Sequence, residues 1–485
     1  MGMRELSEAS RLMTTGGDER LVLGDGTGLN KYHSAPRPSD VLAYASSTAN
    51  DISAAAQAHV EAVLAELGGG LDGAGYAVRL EGLRARLRRA YALPANVDIV
   101  FSPSGTDLEY VALAAVAGRG AAGTHNILLG ADEVGSGCIH SAFGRYYAAT
   151  TALGIVTEAG APVPGFGETK VEMIDVPVRD PAGRVRPSAE IAARMDEAIA
   201  AAAAAGRHVL VHVVHGSKTG LILPSLGDLD ALAARHGPAA SFIVDACQAR
   251  ITSPAIADYL ARDAIVFVTG SKFMGGPPFS GFAFVPAAFR ARAEPLAEGF
   301  ATIFRRAEWP AGWPGTERLE DGANPGLLLR LEASLFELER FQRLGLDEVT
   351  RIILAFHQAV RDEIVDRTPA RRVAPYPPGE KETAETHPIE MRTLSTLDLT
   401  GLGAGGASFE DATRWHEAML AHGVRLGQPV KCVRMADGRW GATLRIGLSM
   451  PQVVERAGLD DETLARSFAA DMARVRRALE AVAAR

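Results

Sequence analysis

Cysteine is scarce: three residues in 485, Cys138, Cys247 and Cys432, lie far apart. That excludes a disulfide framework and a thiolate metal cluster, and no Cys/His grouping has zinc-ligand spacing. Long apolar runs are missing as well. No stretch of about 18 uninterrupted apolar residues occurs, and the opening MGMRELSEASRLM lacks the apolar region of a secretion signal. Positive charge is not in excess: 50 Lys and Arg face 58 Asp and Glu, a formal net charge of −8. Nucleic acid and anionic membrane are thereby excluded as main partners, and a cytoplasmic protein is expected. With 47% hydrophobic and 22% charged residues, the bulk of the chain has too much to bury for disorder. The hydrolase signature G-x-S-x-G is absent.

What the chain does have is an alternation. Strand-length apolar runs occur at 97–103 (VDIVFSP), 126–132, 170–178, 208–215 (HVLVHVVH), 241–246, 263–270 and 281–286, with helical segments between most of them. This pattern predicts an α/β fold with a mostly parallel seven-stranded sheet between helices. In one crossover, Ser225 and Asp228 read as an S-x-x-D capping box and Gly237 as the helix stop. Residues 1–55 are polar and irregular, an arm fit to touch substrate or a neighbouring subunit. Two helices follow, on either side of Gly68-Gly69-Gly70. Residues 56–310 read as the large domain. From 311 to 485 the pattern changes to long helices, one near 325–343 between the domains. Short strands near 390–398, 424–426 and 443–449 then alternate with helices at 408–422 and 458–484, a smaller α+β domain.

Three strand ends carry candidate chemistry. Asp245 closes the run IVD, and an acid there is either a turn cap or a buried charge that needs a cationic partner. The next strand ends in Ser271-Lys272 and a glycine-rich turn, so Lys272 reaches the same sheet edge. After the first strand, Ser104-Gly105-Thr106 runs into the helix DLEYVALAAVAG. Small and hydroxyl residues at a helix start form an ordinary N-cap or a phosphate cradle. The turn matches neither G-x-x-x-x-G-K-[ST] nor G-x-G-x-x-G.

Phosphate cradle, strand-end acid and a lysine one crossover later form a layout that resembles fold-type-I pyridoxal 5′-phosphate enzymes. IVDACQ, VTGSKFMGGPPFSGFAFVP, SPSGTD and LVHVVHGSKTGLILP resemble the class V aminotransferase and cysteine desulfurase superfamily. The resemblance implies pyridoxal 5′-phosphate as cofactor, Lys272 as the residue of the internal aldimine and the proton-transfer base, and Asp245 as partner of the pyridine nitrogen. It further implies Gln248 at the ring hydroxyl, Ala246 beneath the ring, and Ser104, Gly105, Thr106 and Ser271 at the phosphate. His140, with Phe143 as alternative, matches the upper ring face, and Ser217 a cofactor contact. A Gly-Thr segment from a partner subunit commonly completes the phosphate site. The matching stretch reads Gly322-Ala323-Asn324 and lacks the threonine; Asn324 is the candidate contact, with Gly315-Thr316 a few residues earlier. A homodimer with shared active sites is expected.

Arg445, in ATLRIGLSM, matches the arginine that holds a substrate carboxylate, a task suited to its bidentate fork. In HGVRLGQPVKC the position of a desulfurase cysteine falls on Val430, two residues before Cys432. The expected activity is transamination of an amino acid. The alternatives are a lyase eliminating at Cβ or Cγ or cleaving C–C or C–S bonds, desulfurase- or kynureninase-like, and a specialised carbon–carbon bond-forming enzyme. From another class, a cofactor-binding protein without catalysis would leave Lys272, Asp245 and Gln248 unused.

Overall fold

The computed structural model describes residues 6–68, 70–135, 137–166, 170–403 and 405–484. Gly69, in the glycine run between the first two long helices, and residues 1–5 of the arm lie outside them.

Every apolar run becomes a strand, and all but the edge run at 171–176 are buried almost throughout, as in a sheet covered by helices. After β1 (Leu42–Tyr44), the central sheet is built from β2 (Val97–Ser102), β3 (Thr124–Leu129), β4 (Val171–Val176), β5 (His208–His215), β6 (Ile222–Leu223), β7 (Ala240–Asp245), β8 (Ile265–Thr269) and β9 (Gly281–Pro286). The order is β2-β9-β8-β7-β5-β3-β4, with the two-residue β6 paired antiparallel to β5 as an eighth strand. Of the seven long strands only β9 runs against its neighbours. The segment between β8 and β9 is too short for a crossover, so the chain turns straight back.

Helix Leu226–His236 begins where expected: Ser225 Oγ accepts from Asp228 N at 3.2 Å, and Gly237 sits at φ 49° at the stop. The box is only half formed. The N–H of Ser225 donates to Ser188 Oγ at 2.7 Å, a tertiary contact that displaces the reciprocal bond from Asp228.

The later residues form an antiparallel sheet of β10 (Arg371–Val373), β11 (Leu394–Asp398) and β13 (Thr443–Gly447), while β12 (Val424–Leu426) pairs in parallel with β1. The N-terminal segment is thereby stitched to the far end of the chain. Arg425 on β12 adds a buried ion pair with Asp51 at 2.7 Å. Helix Pro325–Phe341 is buried on nearly every side and packs on helices Glu8–Met13, Ala54–Glu66 and Gly73–Ala90. Among the described residues no helix is long and apolar enough to cross a membrane.

Candidate active site

All strands of the central sheet except β6 and β9 point the same way, so the loops after β2, β3, β5, β7 and β8 gather at one edge, around a cavity of about 230 Å³. Open α/β sheets place ligands at this edge.

The turn after β2 is held by its own side chains. Ser104 Oγ donates to Asp107 Oδ2 at 2.6 Å and accepts from Thr106 N at 3.2 Å, before helix Leu108–Val116 begins. Gly105 has no room for a side chain: a Cβ would sit 2.8 Å from Thr269 Cγ2 at the end of β8. The turn therefore offers backbone N–H groups at a helix start, where an anion is favoured.

Asp245 ends β7, and its Oδ1 accepts from Cys247 N at 2.9 Å. Gln248 donates through Nε2 to Ser47 O at 3.1 Å and accepts from Arg250 Nη1 at 2.7 Å. Lys272 lies just beyond β8, its turn fixed by Asn50 Nδ2, which donates to the carbonyls of Ser271 and Lys272 at 2.9 and 2.7 Å. Burial, and then the nearby Arg445 charge, pull the Lys272 amine down to about 8. Its Nζ donates to Thr48 O at 2.7 Å. Arg445 Nη2 donates to Thr48 Oγ1 at 3.1 Å, and its Nε and Nη1 to Gln428 O and Ser47 O at 2.9 and 3.1 Å. Burial lowers this guanidinium to about 10.

The loops after β3 and β5 meet through Glu133, which accepts from Ser217 Oγ at 2.7 Å, Thr219 Oγ1 at 2.9 Å and Arg179 Nη2 at 2.7 Å. Burial opposes the charge on Glu133, but Arg179 and the two hydroxyls hold its carboxyl below the usual range. Lys218, next to Ser217, also lines the cavity, its amine lowered by burial and by Arg445.

No family model matches the sequence, and no curated protein matches it. Solved structures do. A cysteine desulfurase of Escherichia coli superposes at a TM-score of 0.57 and 16% identity, over 91% of this chain and 95% of the other. A cystine C–S lyase in complex with cysteine persulfide gives 0.54 and 15%, over 89% and 97%. A ureidoglycine–glyoxylate aminotransferase of Bacillus subtilis gives 0.53 and 12%, over 91% and 92%. A form of the same lyase carries glycine covalently linked to its PLP cofactor. The chain has fold type I.

The residues of this fold-type-I chain fit pyridoxal 5′-phosphate. A donor-rich turn closed to any Cβ suits the phosphate, a strand-end carboxylate suits the ring nitrogen, and a buried amine of depressed pKa suits the aldehyde. The structure brings Ser104, Gly105, Thr106, Ser217, Asp245, Gln248, Ser271, Lys272 and Arg445 to the cavity, and leaves His140 and Asn324 outside it. His140 is half-buried on the short helix Cys138–Ser141, where Cys138 reaches the cavity instead, because residues two apart on a helix do not share a face. Asn324 is spent as the N-cap of helix Pro325–Phe341, with Oδ1 accepting from Leu327 N at 3.0 Å and Nδ2 donating to Gly16 O at 3.1 Å.

Sequence reasoning passed over Thr48, Lys218, Glu133 and Arg20, which all line the cavity. Lys218 and Glu133 stand just past strand ends and carried that signal. Thr48 and Arg20 belong to the irregular arm, where no periodicity points to a site.

Proposed function

We propose that this protein is a pyridoxal 5′-phosphate enzyme acting on an amino acid, with transamination as its reaction. The observation that carries the reading is the convergence of Lys272 Nζ and Arg445 on the single residue Thr48, at 2.7 Å from its carbonyl and 3.1 Å from its hydroxyl. A reactive amine and a carboxylate-binding fork held about one residue apart match the spacing of the two ends of an α-amino acid.

The cofactor, when bound, supplies an aldehyde and an electron-withdrawing ring that stabilises negative charge at the substrate's Cα. The chain's residues do the rest. Asp245 would hold a proton on the ring nitrogen through its carboxylate. Arg445 orients the substrate carboxylate, its guanidinium preset by Ser47, Thr48 and Gln428. Lys272, with its amine near neutrality in pKa, takes and returns the proton at Cα. Ser104, Gly105, Thr106 and Ser271 would bind the phosphate, and Gln248 would meet the ring hydroxyl.

A desulfurase role for Cys432 is disfavoured. Cys432 is buried outside the cavity, and burial pushes its thiol up to about 12. The reading includes the division into an arm to 55, a large domain at 56–310 and a small one at 311–485, a cytoplasmic location, and a homodimer, which sedimentation equilibrium would reveal as twice the chain mass.

The test is an absorbance spectrum of the protein with added cofactor, before and after a panel of amino acids, with product analysis. A visible band that bleaches as a keto acid appears is the expected result. A band that persists while ammonia or pyruvate is released would replace transamination by a lyase, and no band at all would overturn the assignment.

A further inference from the structure

The N-terminal arm sends one cation into the cavity, and the reaction as described leaves it unused. Arg20 lies within the 3₁₀ turn Glu19–Leu21 that Asp18 caps, and Nε and Nη2 of Arg20 grip Asp18 at 2.8 and 2.6 Å. Its guanidinium carbon lies over two rings, 4.9 Å from the centre of Tyr147 and 4.8 Å from that of Phe279. The one nitrogen not taken by Asp18, Nη1, points to Thr106 Oγ1 at 3.5 Å. With Nε and Nη2 held by Asp18 and two rings against the guanidinium, Nη1 is left to meet the turn Ser104-Gly105-Thr106.

The segment that carries Arg20 is itself pinned. Arg330, buried in helix Pro325–Phe341, donates to Met13 O, Thr15 O and Gly16 O at 2.8, 2.6 and 2.8 Å. Its Nε donates to Phe279 O at 2.7 Å, and Phe279 is held at φ 72°, a costly conformation for a non-glycine residue. Gly16 also takes a positive φ, against Asn324, where a Cβ would fall 1.8 Å from Oδ1. A buried arginine spent on arm carbonyls and a strained phenylalanine beside the guanidinium are features of a placed group.

Its contact with the turn, rather than its charge alone, says what the group is for. A phosphate monoester carries about −1.5 to −2 near neutral pH, and a helix N-terminus offers about +0.5. Roughly one charge or more is left to balance. Four cationic side chains line the cavity: Arg20, Lys218, Lys272 and Arg445. Lys272 and Arg445 donate to Thr48 and Lys218 to Asp132 O at 3.1 Å, all neutral oxygens, so their charges add to the field of the cavity, while Asp18 offsets part of the charge on Arg20. Arg20 is the one in contact with the cradle.

We propose that Arg20, delivered by the arm of the same chain, binds the phosphate monoester seated on Ser104-Gly105-Thr106, with Asp18, Asn324 and Arg330 as positioning residues. This rests on the pyridoxal phosphate reading. The test titrates the cofactor-free wild type, Arg20→Met and Arg20→Lys with pyridoxal 5′-phosphate and with pyridoxal, which lacks the phosphate, following tryptophan fluorescence. Arg20→Met is expected to weaken pyridoxal 5′-phosphate about 10- to 100-fold while pyridoxal changes less than about threefold, with Arg20→Lys in between. Inorganic phosphate should compete with the cofactor in the wild type and not in Arg20→Met. Equal weakening of both aldehydes would make Arg20 a scaffold residue and overturn the proposal. So would unchanged affinity for both, with or without a raised KM for the amino acid. Should Arg20→Met fail to fold, Arg20→Lys carries the same comparison. A wild type that binds no pyridoxal 5′-phosphate would instead remove the function reading itself, and this inference with it.

Discussion

Lys272 is a buried amine surrounded by other cations, and both facts favour its neutral form. Its folded value of about 8 lies below the ordinary 10.5, so the free amine becomes the major species as pH rises past about 8. The rate at which the cofactor-free protein captures pyridoxal is therefore expected to climb with pH and level off above about 8. A climb that continues past 10 would show that the site does not depress the amine. In the proposed role of binding the substrate carboxylate, Arg445 would serve through geometry as much as charge. Lysine at this position keeps the charge and loses the fork, so Arg445→Lys is expected to lower kcat/KM for the amino acid about 10- to 100-fold, mainly through KM. Steady-state kinetics would check it, and an unchanged KM would place the substrate carboxylate elsewhere.

At the scale of elements, the sheet fixes the order in which loops meet. The β2 turn and the end of β8 touch because β9 alone separates their strands, and Gly105 is the point of contact with Thr269. Gly105→Ala forces a methyl into 2.8 Å of space. Overpacking of this kind costs about 1–3 kcal/mol, expected as a lower Tm of the cofactor-free protein and weaker cofactor retention. A variant with wild-type Tm and retention would mean the turn yields freely. The strand elements were legible because a parallel sheet leaves continuous apolar runs, and β5 spans His208–His215 just as HVLVHVVH predicts. The capping box before helix Leu226–His236 was read from Ser225 and Asp228 alone, while Ser188, distant in sequence, took one of its bonds.

For the whole molecule, the arm and the C-terminal residues enclose what the central sheet presents. The pairing of β1 with β12 and the Asp51–Arg425 ion pair bring Ser47 and Thr48 against Gln428 and Arg445. Removing one partner of a buried pair costs about 3–5 kcal/mol. Asp51→Ala should accordingly shift the urea midpoint downward and also weaken amino-acid binding, since the loop carrying Thr48 loses its tie. Loss of stability with intact binding would separate the clasp from the site.

The sequence by itself determined the α/β class, the seven long strands and the strand-end groups Asp245, Lys272 and Ser104-Gly105-Thr106. Burial on both faces and short-range turn chemistry are written locally, so a reader of the chain can find them. The tertiary structure alone decided which distant side chains complete the cavity. Cys138 rather than His140 faces it because of the phase of one short helix, and Asn324 is withdrawn from it as a helix cap. Arg20 and Thr48 enter because an arm without periodicity is held by Arg330, Asn324 and β12. Contacts across more than 300 residues of chain leave no local pattern, and only the packed molecule displays them.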